Sequence, residues 1–295
     1  MTRSVVKWGV LVGVAVCGLV LPGVASARWV PGPRTTWQWQ LSGKLDLRVP
    51  AAVYDVDLFD TSAATVAALH ARGRHVVCYL DAGTYEPGRP DSARFPKSVL
   101  GRGVAGWPGE RWLDIRSRAL RPIMNARLRL CARKGFDAVE ADNVDGYENR
   151  TGFPLRARDQ LAYNRYLAAA AHARGLSIAL KNDLDQVAAL EPRFDFALDE
   201  ECFHHRECGE LAPFVKAGKA VFEVEYTGSP ARYCPQARAA GFMTMAKHLD
   251  LDAWREACWA RHGSVQARVP EPAAAAPVVP ALTYSHRYTG RPPTQ

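Results

Sequence analysis

No CxxC pair and no paired Cys-x4-His spacing occurs in the chain, so its seven cysteines do not read as a zinc site. No GxGxxG or Walker-type loop follows the first strand pattern, which argues against a nucleotide-binding open sheet. The histidines form no strand-end cluster, so a metal-dependent deacetylase lacks its ligand set. Lysine blocks and aromatic-interleaved basic stripes are missing as well. The formal charge of +8 is instead scattered, as in ARLRLCARK, and leaves no nucleic-acid footprint.

What is present begins with a leader. MTRSVVK carries two positive charges, an apolar run follows, and Ala25-Ser26-Ala27 ends it, so residues 1–27 read as a secretory signal peptide. The run is short for a bilayer span of about 20 residues and holds Pro22 beside Gly23, which favours cleavage over an uncleaved anchor. Val16 before Cys17 does not suit a lipid anchor. The expected mature protein is therefore extracellular, with no membrane association, and loss of Arg3 and Lys7 leaves it basic.

Export changes the reading of the cysteines. Cys17 leaves with the leader, and six remain for an oxidising compartment. Fifteen connectivities are open to six cysteines. The expected set is Cys202–Cys208, closing a short loop, then Cys234–Cys258 and Cys78–Cys131.

One organisation recurs from there on. Short apolar stretches ending in polar groups alternate with Ala/Arg/Leu-rich stretches of helical period. Strands are expected at 52–59, 75–81, 111–115, 136–142, 176–181, 194–200, 219–226 and 242–247. The intervening helices open on cap-type residues such as Thr61, Ser117 and Asp159, and most run into glycine. Eight βα repeats in 295 residues predict a single-domain α/β fold, a (β/α)8 TIM-type barrel over 28–262, rather than a doubly wound sheet. WQWQLSGKLDL (37–47), ahead of the first repeat, is expected to close the barrel floor with its aromatics. The Pro/Ala-rich residues 263–295 read as a disordered tail.

A barrel carries its active site at the carboxyl ends of its strands. Those ends are acidic here: Asp57, Asp81, Asp142, Asn143, Asp145, Glu200, Glu225 and Tyr226, with Lys181 and Asn182 among them. GFDAVEADNVDGYEN (135–149) shows the pattern at its densest, since apolar residues separate its first acids as in a buried strand. Carboxylates without metal-ligating histidines suit glycosidic hydrolysis, which needs one protonated and one ionised carboxyl. Crowding raises carboxyl pKa values and keeps one acid protonated. No cofactor and no metal is needed.

YDVDLFDT, CYLDAGTYEPGRPD, GWPGERWLDIRS, GFDAVEADNVDGY, KNDLDQV, LDEECF and KAVFEVEY, in this order between Trp37 and Cys258, together resemble glycoside hydrolase family 114, the endo-α-1,4-polygalactosaminidases. The resemblance implies a secreted barrel enzyme that cleaves α-1,4-linked galactosamine in microbial exopolysaccharide. Its EPDNVDG segment aligns with Glu140–Gly146 and puts the catalytic aspartate on Asp142. Its NEQCF segment puts a catalytic glutamate on Glu200, the general acid.

The chain departs from that pattern at Ala141, Asp199 and Glu201, and at Asp81, where serine is common. The substrate partner implied is a cationic, galactosamine-rich polysaccharide. Asp57, Asp81, Asp145 and Glu225 would pair with its ammonium groups, Tyr79, Trp107, Tyr147 and Tyr226 would stack on sugar faces, and Asn143, Lys181 and Asn182 would hold hydroxyls or Asp142. A non-catalytic carbohydrate-binding barrel, or a hydrolase of another amino-sugar glycan, are the alternative readings.

Overall fold

The computed structural model describes Met1 and residues 28–259. The expected signal peptide with Cys17, and the expected tail over 263–295, lie outside the described residues.

Among the described residues twelve strands occur in chain order. They are β1 (Trp37–Trp39), β2 (Val53–Asp57), β3 (His75–Asp81), β4 (Thr84–Tyr85), β5 (Leu100–Val104) and β6 (Trp107–Leu113), then β7 (Ala138–Asp142), β8 (Ser177–Lys181), β9 (Phe196–Glu200), β10 (Val221–Glu225), β11 (Met243–Ala246) and β12 (Glu256–Ala257). Seven α-helices accompany them among the described residues: α1 (Ala63–His70), α2 (Leu120–Lys134), α3 (Ala157–His172), α4 (Val187–Leu190), α5 (Cys202–His205), α6 (Ala212–Lys216) and α7 (Pro230–Ala240).

The main sheet runs β1-β2-β3-β7-β8-β9-β10-β11-β12, and its first eight strands are parallel. Only β12 is antiparallel. The eight parallel strands with interleaved helices form the expected α/β barrel, curled but without a backbone ladder between its first and last strands. Side chains span that seam. Trp37 Nε1 donates to the Met243 carbonyl at 2.7 Å, and Arg255, beside β12, donates to the Trp37 carbonyl.

Two expectations are corrected. Residues 111–115 are not the third barrel strand, because β6 pairs antiparallel with β4 and β5 in a separate three-stranded sheet inserted after β3. Trp37–Trp39 is not a plug on the barrel floor but the first barrel strand, buried on both faces. Both segments read as strand, and alternation alone does not say which sheet a strand joins.

Period-two alternation divides the barrel residues into two cores. Trp37, Trp39, Val53, Val77, Ala138, Ala179, Phe196, Phe222 and Met245 point inward. Tyr54, Val76, Cys78, Val139, Ile178 and Val221 point outward against the helices. On α2 the buried residues Leu120, Ile123, Met124, Arg127, Leu128 and Cys131 keep helical spacing, and Gly135 ends the helix in the left-handed region at φ 89°. Caps fall near the expected residues. Ser62, not Thr61, caps α1, and Asp159 lies one turn inside α3, bonding back to the Arg156 amide.

The three expected disulfides form, with Cα separations of 6.0 Å for Cys78–Cys131, 4.8 Å for Cys202–Cys208 and 4.9 Å for Cys234–Cys258. Cys78–Cys131 ties β3 to α2. Cys234–Cys258 ties α7 to the segment after β12.

Candidate active site

At the carboxyl ends of the strands lies a cavity of about 380 Å³. Lys181, the last residue of β8, lines it and is only 2% exposed. Its Nζ lies 2.7 Å from Asp142 Oδ1, 3.0 Å from Glu200 Oε2 and 3.2 Å from Glu140 Oε1. The Asp142 contact is a hydrogen bond and the other two are ion pairs. The Trp39 ring packs against the same ammonium, with its centroid 4.9 Å from Nζ.

Asp142 ends β7 and is bonded on both oxygens. Oδ1 also accepts from the Asn143 amide at 2.8 Å, and Oδ2 from the Tyr79 hydroxyl at 3.0 Å. Burial alone would raise its pKa, but Lys181, the Asn143 amide and Tyr79 together hold it below the usual carboxylate value. Glu200 ends β9. Its Oε1 accepts from the Tyr226 hydroxyl, and its amide donates to Asn182 Oδ1 at 3.1 Å.

Backbone shape supports this arrangement. Asn143, Asn182 and Glu201, each just past a strand end, lie in the left-handed region at φ 57°, 48° and 61°. That turn lifts the chain out of the sheet immediately after Asp142, Lys181 and Glu200. Gly83 permits the closest approach, since a Cβ there would stand 1.6 Å from the Asn143 carbonyl oxygen.

Residues 21–262 match the glycoside-hydrolase family GH114. The chain belongs to this family. It is 38% identical to Aspergillus fumigatus Ega3, solved in complex with galactosamine, with TM-score 0.76 over 80% of this chain and 100% of that one. The glycoside hydrolase domain of PelA from Pseudomonas aeruginosa shares the fold at 13% identity and TM-score 0.60, over 75% of this chain and 97% of that one. A Deinococcus radiodurans protein is 27% identical over 73% of this chain and 81% of its own length.

Against this GH114 barrel the expected site residues sort by geometry. Asp57, Tyr79, Trp107, Asp142, Asn143, Asp145, Lys181, Asn182, Glu200 and Tyr226 line the cavity. Glu225, Asp81 and Tyr147 do not. Glu225 has the outward parity of β10, and its Oε1 accepts from the Phe203 and His204 amides at the start of α5. Asp81 is buried beneath the turn it organises, accepting from the Gly83 and Thr84 amides, the Thr84 hydroxyl and Asn143 Nδ2. Tyr147 sits on the turn at Gly146–Glu148, with its hydroxyl beside Glu148.

Several lining groups lie outside the strand ends where sequence directs attention. Trp39 and Leu41 come from β1 and its exit, Glu110 and Trp107 from β6, and Leu249, Asp250 and Leu251 from the loop after β11. Glu86 and Asp57 share Arg89, whose Nη2 lies 2.6 and 2.7 Å from them. Glu110 faces Thr84 at 3.4 Å, and burial, reinforced by Asp81, Glu86 and Asp142, pushes its carboxyl up to about 8. Eight carboxylates line the cavity against two cations, Arg89 and Lys181.

Two side-chain groups bring metal-type donors together among the described residues. Asp199, Cys202 and Glu223 meet behind β9, but the Cys202 sulfur is committed to its disulfide with Cys208. His248, Asp250 and Asp252 meet on the exposed loop after β11, where His248 Nδ1 already bonds Asp252 at 3.1 Å.

Proposed function

We propose that this GH114 glycoside hydrolase is an endo-α-1,4-polygalactosaminidase, exported from the cell, with Asp142 as nucleophile and Glu200 as general acid. The observation that carries the reading is the pair of carboxylates on either side of Lys181 Nζ, one of them held ionised, in a cavity rich in acids. The similarity to Ega3, solved with galactosamine, supports the sugar.

In the first step Glu200 gives its proton to the glycosidic oxygen as the C1–O bond breaks and an Asp142 oxygen bonds to C1. In the second, water attacks C1, its proton passes to Glu200, and the Asp142–C1 bond breaks. The facing oxygens of Asp142 and Glu200 both lie within 3.0 Å of one nitrogen, so they are at most about 6 Å apart. That bound fits the retaining separation of about 5–5.5 Å better than the inverting one of roughly 6.5–9.5 Å.

Substrate choice follows from charge. Each deacetylated galactosamine carries an ammonium, and Asp57, Asp145 and Glu201 supply carboxylates along the cavity. Trp107, 42% exposed on β6, offers a face for a sugar ring, with Tyr79 and Tyr226 deeper in. Three disulfides support export to an oxidising compartment.

The test is oligosaccharide release from galactosamine-rich exopolysaccharide. Asp142→Asn and Glu200→Gln should each lower kcat by about 10²- to 10⁴-fold while folding normally. Fully N-acetylated polymer should be a poor substrate. Equal turnover of acetylated and deacetylated polymer would remove the electrostatic basis for the substrate, and full activity in either variant would remove its catalytic assignment.

A further inference from the structure

Below the Lys181 ammonium the barrel interior contains two carboxyl groups that the reaction does not use. Glu140, on β7, and Asp55, on β2, are both 0% exposed and both point inward, where the neighbouring strands carry Trp39, Val77 and Ala179. None of their four carboxyl oxygens has a hydrogen-bond partner among the described residues, and the two groups lie close enough to act on each other's ionisation. Lys181 is the one cation within 4 Å of Glu140 among the described residues, at 3.2 Å. Apart from that ammonium, no donor among the described residues reaches either carboxyl. Two carboxylates this close inside an apolar layer cannot both be ionised, so one proton must lie between them. The charge belongs on Glu140, the member touching the ammonium.

We propose that Glu140 and Asp55 act as a one-proton carboxyl pair that positions Lys181, supplying the counter-charge that fixes its ammonium between Asp142 and Glu200. Without that charge Lys181 would be shared by Asp142 and Glu200 alone and would shift toward the cavity. The pair therefore sets both the height of the ammonium and the pKa of Asp142. Burial raises both members, Asp55 to about 7 with Asp142 adding to it, and Glu140 with the Asp55 charge adding to it, which agrees with a proton retained near neutrality. The other titratable groups facing the pair are Tyr79 on β3, Asp142 on β7, Lys181 on β8 and Tyr226 after β10, with Glu200 on β9 acting on Lys181.

This inference rests on the glycosidase reading for its kinetic arm only. Asp55→Asn replaces a protonated carboxyl by an isosteric donor and should leave kcat within about threefold of wild type. Glu140→Gln removes the charge and should lower kcat about tenfold or more, with KM little changed. Losing that negative charge also leaves Lys181 more available to Asp142, so the acidic limb of kcat/KM should move to lower pH.

A second arm needs no substrate. The infrared difference spectrum at neutral pH between wild type and Asp55→Asn should contain the C=O stretch of one protonated carboxylic acid. A missing band, an unfolded Asp55→Asn, or Asp55→Asn as slow as Glu140→Gln would each overturn the shared proton. Wild-type kinetics and pH profile in Glu140→Gln would overturn the positioning role. If Glu140→Gln does not fold, the difference band decides. If no galactosamine polymer is cleaved, the band still tests the pair while the substrate reading fails by itself.

Discussion

At the scale of single residues, Tyr79 and Gly83 act on Asp142 from opposite sides. Tyr79 donates to the ionised carboxylate, so Tyr79→Phe removes a bond that favours the charged form. The acidic limb of kcat/KM should rise by up to about one pH unit, read from a pH–rate profile. Gly83→Ala places a methyl group where the Asn143 carbonyl stands and should cost at least about 2 kcal/mol in denaturant unfolding, with activity lost beyond what the stability change explains. Asp142 and Glu200 were legible in the sequence because each closes an apolar strand. Asp55 and Glu140 were not. Glu140 lies two positions before Asp142 in β7 and Asp55 two before Asp57 in β2, and only a three-dimensional barrel shows that their inward parity brings them below one ammonium, which Glu140 touches.

At the scale of elements, the loop after β11 depends on one buried lysine. Lys247 Nζ donates to the carbonyls of Asp252 and Trp254, and the loop it spans puts Leu249, Asp250 and Leu251 on the cavity wall. Lys247→Met should leave both carbonyls without that donor, cost about 1–3 kcal/mol, and weaken KM for long polymer more than for short oligomers. Strand order shows where sequence reading reached its limit. Seven of eight barrel strands carry enough alternation and polar endings to be placed in advance. The remaining position was given to 111–115, because a half-buried antiparallel strand and a barrel strand share one pattern, while a three-residue aromatic strand such as β1 has too few positions to display any. The inserted sheet of β4, β5 and β6 then supplies Trp107 and Glu110 to a cavity built otherwise by the barrel.

At the scale of the whole molecule, buried acids govern the response to pH. Asp55 and Asp81 are raised to about 7, Glu110 to about 8 and Asp183 to about 9, in each case chiefly by burial. A carboxyl with a raised folded-state pKa stabilises the fold fully below its unfolded value near 4, and that contribution is lost as pH rises through the folded value. Thermal stability should accordingly peak in mild acid and decline progressively from about pH 4 to about pH 9, with the Asp55 and Asp81 contributions exhausted by about pH 7, as measured by calorimetry across that range. A cationic galactosamine oligomer should raise Tm more at pH 7 than at pH 5, because more of the cavity carboxylates are then ionised. The barrel itself was legible from repeat count, but its manner of closure was not, since the seam is made by side chains of Trp37 and Arg255 rather than by a strand pair.

That seam also sets an order of events. Trp37 and Met243 are 206 positions apart, so the contact joining the sheet's two ends cannot form until nearly the whole domain has been synthesised. Long-range closure of this kind is slow, because its loop entropy must be overcome before any contact rewards it. A chain emerging from the ribosome would hold its first strand without the Met243 contact until β11 arrives. In refolding, burial of Trp37 should be the final phase, later than formation of the β2–β3–β7 pairing, and shortening the chain before residue 243 should leave an assembly that never becomes compact.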